Sequence, residues 1–437
     1  MKKIILIQLL AFITLFAQQK TYTLEESIRV GIINSKVIKI SESKVKYADA
    51  QVNEITSKFY PRLNFNASYT RLSDVDPFEV SVPIFPTPIK IQDAILNNYG
   101  VKLSFSQPLF TGFKLSSLKK SASKNYDALS DELKSEMNNE SFKIQTAFWN
   151  LLKSEEALKL IKKNISLVEE LVKDSENLFK SGMVTKNNLL SIKVRLSNLQ
   201  LARINTENMV KINKSFFLQG IGENLNEEIK INADLETEVF SLEPFNSLLE
   251  TALQQRSELS AVNHQLKATG FNIEGTKSDW YPNLSLFSNV YYSNPNQRLM
   301  PLEDKFKATW DVGIALNWSL WNSGETDSKI IQAEEIKKQA EKKAELLKEQ
   351  IELEVYNAYL SIIGSKEKVK VSELTVEQAK ENYRVSKNQF DEQMITSTDL
   401  INAEASLLEA EINLINTIVD YKLTKTKLNK AIGNRIY

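Results

Sequence analysis

Two long stretches of the chain, about 114 to 220 and 325 to 432, carry apolar side chains that recur every seven positions. One seam in each stretch is mainly apolar, and a second seam, three residues further on, is mostly small. The apolar seams contain Ile144, Leu151, Leu158, Ile165, Val172 and Phe179, and then Val355, Ile362, Val369, Val376, Tyr383 and Phe390. A sustained heptad of this kind predicts helices that supercoil closely around their neighbours.

Neither stretch contains a proline, and their only glycines are Gly182, Gly220 and Gly364. Since proline and glycine are poor in helix interiors, long uninterrupted helices are predicted. A helix from about 114 to 180 would be roughly 100 Å long at about 1.5 Å per residue, which is too long for one globular domain. The heptad alone favours an ordinary two-stranded coiled coil, but the remaining segments predict a different architecture.

Four shorter segments alternate apolar and polar residues with a period of two, which predicts β-strands. They cover residues 63–70, 101–109, 284–292 and 312–320, and the third alternates less cleanly than the others. The apolar face is large and aromatic, whereas the other is small, polar and mostly uncharged. Strands of about nine or ten residues, tilted near 40°, cross the apolar band of an outer membrane, which is about 25 Å thick.

Four strands in an open sheet would expose unpaired backbone groups to lipid, so closure requires several copies of the chain. Three copies give a barrel of twelve strands. Aromatic residues next to the strands are predicted to form girdles at the two membrane interfaces. The helix-side girdle would contain Tyr60, Phe110, Tyr281 and Trp321, and the outer one Tyr99, Tyr291, Tyr292 and Trp310.

The chain repeats itself, because the motif at Tyr60-Pro61 recurs as Tyr281-Pro282 and later pairs keep a constant spacing. An internal duplication explains this pattern. We predict a first structural repeat over residues 18–222, a linker or equatorial segment over 223–244 and a second repeat over 245–437. The two repeats differ in length within 71–98 and 292–308, which are therefore interpreted as loops.

Residues 1–17 have the layout of a secretory signal peptide, with Lys2 and Lys3 before an apolar run. No later window has the roughly 18 to 20 uninterrupted apolar residues of a membrane-spanning helix. The chain has no cysteine, and its 55 basic residues balance 55 acidic ones, so neither disulfides nor nucleic-acid binding are expected.

No enzymatic activity or cofactor is predicted, since the chain has no phosphate-binding glycine loop and no nucleophile elbow. A metal site is not expected either. The single histidine, His264, has no obvious second ligand and is expected on a solvent-exposed helix face.

The layout resembles the TolC-like outer membrane efflux proteins over nearly the whole mature chain. The resemblance is carried by the duplicated helix and strand order, the strand starts at Tyr60 and Tyr281, the segment Gln107–Gly112 and the turns 179–190 and 390–401. It implies a mainly α fold with a trimeric, twelve-stranded membrane β-barrel continuous with a periplasmic α-helical barrel. Such a tunnel is closed at its periplasmic tip and opens on docking to a periplasmic adaptor and an inner-membrane transporter.

The resemblance also implies a gate at the tip turns, where inward acidic side chains form a cation-selective constriction. Asp399 occupies such a position, Asn402 matches a second position that can carry an acid, and Asn188 is the first-repeat counterpart of Asp399. A second interpretation places Asp399 in a capping box with Thr396, and both roles are compatible. The tip turns contain Gly182 and Thr185 in the first repeat, and Gln393 and Thr396 in the second. Because glycine readily adopts the left-handed conformation, Gln393 predicts a second turn of different geometry.

We therefore predict an outer-membrane exit duct of a tripartite efflux or type I secretion system, and nothing in the chain separates these two. The alternative from another class is a soluble periplasmic coiled-coil scaffold. That alternative predicts extraction without detergent and strands that bury their aromatic residues against protein.

Overall fold

The computed structural model describes residues 20–236 and 241–437, so the predicted signal peptide lies outside the described residues. Long helices and antiparallel strands alternate along the chain. The elements are β1 (Lys20–Tyr22), α1 (Leu24–Asn34), α2 (Lys36–Ser57), β2 (Arg62–Arg71), β3 (Phe78–Val80), β4 (Ile89–Gln92), β5 (Asn97–Thr111), α3 (Lys114–Lys180), α4 (Lys186–Ile221), β6 (Ile229–Ile231), α5 (Phe245–Gln255), α6 (Ser257–Lys277), β7 (Asn283–Asn294), β8 (Lys307–Asn317), α7 (Glu325–Asp391) and α8 (Ser397–Ala431).

The chain divides into two compact units, each assembled from separate parts of the sequence. The strand unit contains Ser43–Asp131 and Leu259–Leu346. The hairpin unit contains the described residues of three segments, 20–42, Glu132–Glu258 and Leu347–Tyr437. Each unit therefore draws on both predicted repeats.

The strand unit contains one four-stranded antiparallel sheet in the order β2-β5-β7-β8. Its register places residues of similar polarity side by side on neighbouring strands. One row across the sheet is apolar and consists of Phe65, Leu103, Val290 and Trp310. The next row is polar at most positions and consists of Asn66, Lys102, Tyr291 and Thr309. The predicted strands and their two-faced character are confirmed, although β8 ends at Asn317 rather than at 320.

Tyr291 lies on the polar face of this sheet, so its assignment to the outer girdle is wrong. Its neighbour Tyr292 pairs with Val101 on the apolar face, and successive side chains of a strand point to opposite faces. The Lys102 Nζ lies 5.2 Å, and the Arg298 guanidinium carbon 5.0 Å, from the centre of the Tyr291 ring. Tyr291 therefore contacts charged groups on the polar face of the sheet.

Aromatic rings cluster at both ends of the sheet. At one end, neighbouring ring centres lie 5.0 to 5.7 Å apart in the set Tyr69, Tyr99, Phe306 and Tyr292. At the other end, they lie 5.3 to 5.8 Å apart in the set Phe110, Phe113 and Tyr281. Tyr99 and Phe110 belong to the same strand, and their spacing corresponds to about 36 Å along it.

Two small sheets were not predicted. A short antiparallel hairpin of β3 and β4 lies within the first length-variable loop, and β1 pairs in parallel with β6 of the predicted linker. Within residues 20–236 and 241–437, every helix is too short or too polar to cross a membrane.

His264 in α6 does not lie on an open helix face, so that expectation is wrong. Its two ring nitrogens each lie 3.7 Å from a carboxylate oxygen, Nδ1 from Asp127 and Nε2 from Asp131, and its side chain is 24% exposed. The histidine therefore packs between two acids of α3.

The hairpin unit buries much of the predicted heptad seams, although Phe179 at the end of α3 is 41% exposed. Ile144 and Leu151 of α3 are almost fully buried, as are Val355 and Ile362 of α7. A second core, towards the turns, contains residues of α3, α4 and α8, with partly buried side chains of α7 packed against it. It consists of Ile161, Ile165, Val168, Leu171, Ile192, Leu199, Leu400 and Leu408. This core places the two interhelical turns beside each other.

Candidate functional site

The turn after α3 is closed by two backbone hydrogen bonds. The N–H of Met183 donates to the carbonyl of Leu178 at 2.9 Å, and that of Gly182 donates to Phe179 at 3.0 Å. Gly182 has a φ of 76°, the left-handed conformation that this type of helix ending requires. The sequence forms the turn here because glycine adopts this conformation without steric cost.

The turn after α7 has the same geometry, so the predicted difference between the two turns is wrong. The N–H of Met394 donates to Gln389 at 2.7 Å, and that of Gln393 donates to Phe390 at 2.9 Å. Gln393 adopts a φ of 59° despite its side chain. The backbone pattern of the first turn is therefore retained in the second at the cost of local strain.

Each turn ends at a threonine that caps the next helix. The Thr185 Oγ1 accepts a hydrogen bond from the N–H of Asn188 at 3.3 Å. The Thr396 Oγ1 accepts one from the N–H of Asp399, also at 3.3 Å. Such caps satisfy backbone donors that the first helical turn otherwise leaves unpaired.

Asp399 completes a reciprocal capping box that its counterpart Asn188 does not form. One carboxylate oxygen of Asp399 accepts hydrogen bonds from the Thr396 hydroxyl at 2.7 Å and from the Thr396 N–H at 3.0 Å. These hydrogen bonds, that of the hydroxyl first, hold the pKa of Asp399 below its ordinary value. The carboxylate is nevertheless exposed.

The two turns lie against each other. The Ser397 hydroxyl donates to the carbonyl of Asn188 at 3.4 Å, and the Gln393 Nε2 lies 4.0 Å from the Met183 sulfur. Asn402 is exposed three residues after Asp399, a spacing that places both on one side of α8. The structure thus brings together the residues that the sequence singled out in both repeats.

Two segments of the chain, residues 32–215 and 248–434, match the family described as outer membrane efflux protein. The chain belongs to this family. It is an outer-membrane channel protein that extends into the periplasm. The soluble scaffold alternative is not favoured.

Relatives of this efflux-family chain include secretion and outer-membrane proteins. It is 21% identical over 349 residues to the alkaline protease secretion protein AprF of Pseudomonas aeruginosa, covering 78% of this chain and 71% of AprF. It is 23% identical over 296 residues to the outer membrane protein TolC of Vibrio cholerae, covering 67% of each. The crystal structure of VceC from Vibrio cholerae aligns with a TM-score of 0.76 at 16% identity, over 95% of this chain and 97% of VceC.

An ion pair next to the turns of this efflux-family chain was missed in the sequence. The Arg195 Nε and Nη2 lie 2.7 and 3.1 Å from the two carboxylate oxygens of Glu404. Glu404 is 2% exposed and Arg195 19% exposed. The pair joins α4 to α8 beside the second core, about two to three helical turns beyond the capping threonines Thr185 and Thr396.

A signal for this pair does exist in the sequence. Arg195 falls between Ile192 and Leu199 at helical spacing, and Glu404 falls between Leu400 and Leu408 in the same manner. A charge on the apolar stripe of a helix usually has a partner, because an unpaired charge is costly to bury. Two opposite charges at such positions, in helices that the duplication makes equivalent, predict a contact.

Proposed function

We propose that three copies of this chain form the outer-membrane exit duct of an export system. In this system an inner-membrane transporter delivers cargo through a periplasmic adaptor, and the duct conducts it passively. The observation that carries the proposal is the sheet of the strand unit, which has one apolar face and one polar face between aromatic clusters. Lipid contacts the apolar face, and the polar face lines a water-filled lumen.

The trimer is supported by the two edges of that sheet. β2 and β8 are its outermost strands, and a sheet edge cannot face lipid because its backbone groups would lack partners. Pairing β8 of one copy with β2 of the next closes a ring without edges. Tyr60, Tyr99, Phe110, Tyr281, Trp310 and Trp321 belong to the aromatic girdles of this ring.

The duplication supports the domain organisation. The two segments that match the family fall within residues 18–222 and 245–437, which we propose as the two structural repeats. Residues 223–244 connect them. A duct that only conducts needs no catalytic group, and we assign none.

Asp399 is proposed to form the narrowest, cation-selective part of the duct, with Asn188 and Asn402 beside it. Its carboxylate is exposed, and the hydrogen bonds from Thr396 further favour its charged form by lowering its pKa. Capping and ion selection therefore use the same group. Three carboxylates around a threefold axis attract cations and repel anions at a point where screening is weak.

The cargo is proposed to be set by the transporter. The description of the family refers to efflux, whereas the name of the relative AprF refers to the secretion of a protease. A passive duct serves both classes, since the energy and the recognition of cargo are supplied elsewhere.

Single-channel conductance in a planar bilayer tests this proposal. Detergent-purified protein is compared with Asp399→Ala and with the control Asp391→Ala, which removes an exposed acid at the end of α7. We expect small, cation-selective currents that lose selectivity in Asp399→Ala and keep it in Asp391→Ala.

An equal loss of cation selectivity in both variants would mean that Asp399 acts only as one of several surface charges. Currents that neither variant changes would leave the channel intact and confine Asp399 to capping. A protein that stays soluble without detergent and never inserts would overturn the channel itself.

A further inference from the structure

A groove of about 760 Å³ lies in the strand unit, between the end of α2, the start of α3 and the middle of α6. Its aromatic lining comes from Phe59, Tyr60 and Phe271. Its charged lining comes from Lys119, Lys120 and Lys124 on neighbouring turns of α3. This volume is in the range of sites that hold small molecules, about 300 to 1,000 Å³.

Two of the three lysines carry charge that the fold does not neutralise. Lys124 is paired with Asp127 at 2.7 Å. Within residues 20–236 and 241–437, Lys119 and Lys120 have no carboxylate at ion-pair distance. Their ammonium groups instead lie 6.0 Å from the ring centre of Phe59 and 5.6 Å from that of Phe271, respectively.

These contacts hold the two ammonium groups over the aromatic rings of Phe59 and Phe271. A cation over an aromatic face is attracted by the ring, which fixes its position without cancelling its charge. The groove therefore presents fixed positive charge directly beside apolar surface. Its complement is an amphiphile with an anionic head and an apolar body.

The groove lies at the helix-side end of the sheet. Tyr60 and Phe59 fall between the end of α2 at Ser57 and the start of β2 at Arg62. α3 begins at Lys114, just after β5 ends at Thr111. In the proposed channel this level is the inner interface of the outer membrane, where aromatic belts and lysine side chains meet lipid headgroups.

We propose that this groove binds an anionic phospholipid of the periplasmic leaflet. The headgroup phosphate lies between Lys119 and Lys120, and the upper part of the acyl chains packs on Phe59, Tyr60 and Phe271. The inference rests on the proposed function, since the position of the groove at the membrane surface follows from the sheet spanning the bilayer. Basic pockets beside membrane-spanning elements are typical sites for such headgroups.

Native mass spectrometry of the full-length protein in detergent tests the proposal. The probes are phosphatidylglycerol and phosphatidylcholine with identical acyl chains, added at equal concentration. Two lysines close to a headgroup favour the anionic lipid by about 30-fold. We expect this preference in the wild type and its loss in Lys119→Gln/Lys120→Gln.

Two matched variants control for charge and for folding. Lys342→Gln/Lys343→Gln removes an adjacent, exposed lysine pair from α7 of the same unit and keeps the preference. Lys119→Arg/Lys120→Arg retains both charges and also keeps it. If the groove is instead covered by a second copy of the chain, the wild type shows no lipid preference, and Lys119→Gln/Lys120→Gln forms fewer trimers. This outcome would overturn the lipid site.

Conductance of the same samples separates this inference from the proposed function. Wild-type protein that inserts and conducts but binds both lipids equally overturns the lipid site alone. The lipid site is also overturned if Lys119→Gln/Lys120→Gln retains the preference. Protein that does not insert at all overturns the channel, and the lipid site with it.

Discussion

Arg195 and Glu404 form a bidentate ion pair that joins α4 to α8, with nitrogen–oxygen distances of 2.7 and 3.1 Å. Each helix belongs to a different repeat, so the pair ties the two helical hairpins together beside their turns. Glu404 is almost fully buried and lies one helical turn from Leu400 and from Leu408, which both belong to the second core. Its charge is therefore stabilised by Arg195 rather than by water.

Replacing Glu404 with alanine is expected to destabilise the turn region by about 3 kcal/mol, since it leaves a largely buried guanidinium unpaired. Hydrogen exchange of the segments 183–200 and 394–410 measures this effect as faster exchange. The matched control is Glu381→Ala, which breaks an exposed pair with Arg384 and leaves exchange near that of the wild type.

The double replacement Arg195→Met/Glu404→Leu should recover most of the lost protection, because it removes both charges and keeps apolar volume. Protection that stays low in the double variant would show that the pair has a role beyond cancelling buried charge.

The cation selectivity assigned to Asp399 should survive acidification through the ordinary range of an aspartate. Hydrogen bonds from Thr396 favour the charged carboxylate and lower the pKa of Asp399, so the charge is lost only at a lower pH than usual. The same sign holds for stability: the contribution of the capping box is present at neutral pH and disappears as pH falls through that lowered pKa.

Thr396→Val removes the hydroxyl donor and should move the loss of selectivity to higher pH. Reversal potentials measured across a pH series check this shift. Thr185→Val is the control. Thr185 caps α4 in the same way, but the residue that it caps is Asn188, whose side chain does not titrate, so this variant should keep the pH profile of the wild type. An identical pH profile in wild type and Thr396→Val would disconnect selectivity from this carboxylate.

The two turns offer a reciprocal test of backbone strain. Gly182→Gln places a side chain in a left-handed conformation and should lower stability by about 1 kcal/mol. Gln393→Gly relieves the same strain and should not lower stability. A Cβ at Gly182 meets no atom within 4 Å, so the cost is conformational rather than steric.

Thermal unfolding in detergent compares the two variants. The opposite order, with Gln393→Gly the weaker protein, would mean that contacts of the Gln393 side chain outweigh its backbone strain.

Engineered disulfides test the proposed pairing of β2 with β8 between copies. The chain contains no cysteine, so the background is clean. Asn66→Cys on the polar face of β2 is combined in turn with Thr309→Cys, Ala315→Cys or Asn317→Cys on the polar face of β8. At least one pair should give covalent trimers on oxidation, because cross-strand cysteines meet disulfide geometry only in the correct register.

Asn66→Cys/Ile314→Cys is the matched control, since Ile314 points to the opposite face of β8. Cross-linking as efficient as in the polar-face pairs would argue against an ordered junction between these strands.

The strands and long helices could be predicted from local periodicity because the strands have one apolar and one polar face and the helices bury an apolar seam. The less regular strand, β7, shows where that signal fails. Phe287 lies on the polar face opposite Gly313, and a Cβ at Gly313 would come within 2.6 Å of its ring. Phe287 thus fills the space that the glycine leaves, and such a pairing is visible only once the register is known.

The candidate site was predictable in part. The capping box of Thr396 and Asp399 follows from their short local spacing, and the structure contains it. The matching cap at Thr185 was not predicted. Gln393 was misinterpreted because the helix ending is imposed by hydrogen bonds that override the preference of one side chain. The charges of Arg195 and Glu404 are visible on the apolar stripes of their helices. The two residues lie about two hundred positions apart, so the geometry of their contact follows only from the packing of α4 against α8.

The open edges β2 and β8 also bear on inheritance. Every copy in the proposed ring must pair through both of its edge strands, β2 and β8. One chain with a disrupted edge strand therefore interrupts the ring wherever it is incorporated. Such a chain removes its normal partners from use instead of being merely inactive itself. Mutations that disrupt either edge strand should therefore be dominant in cells that also express the normal chain.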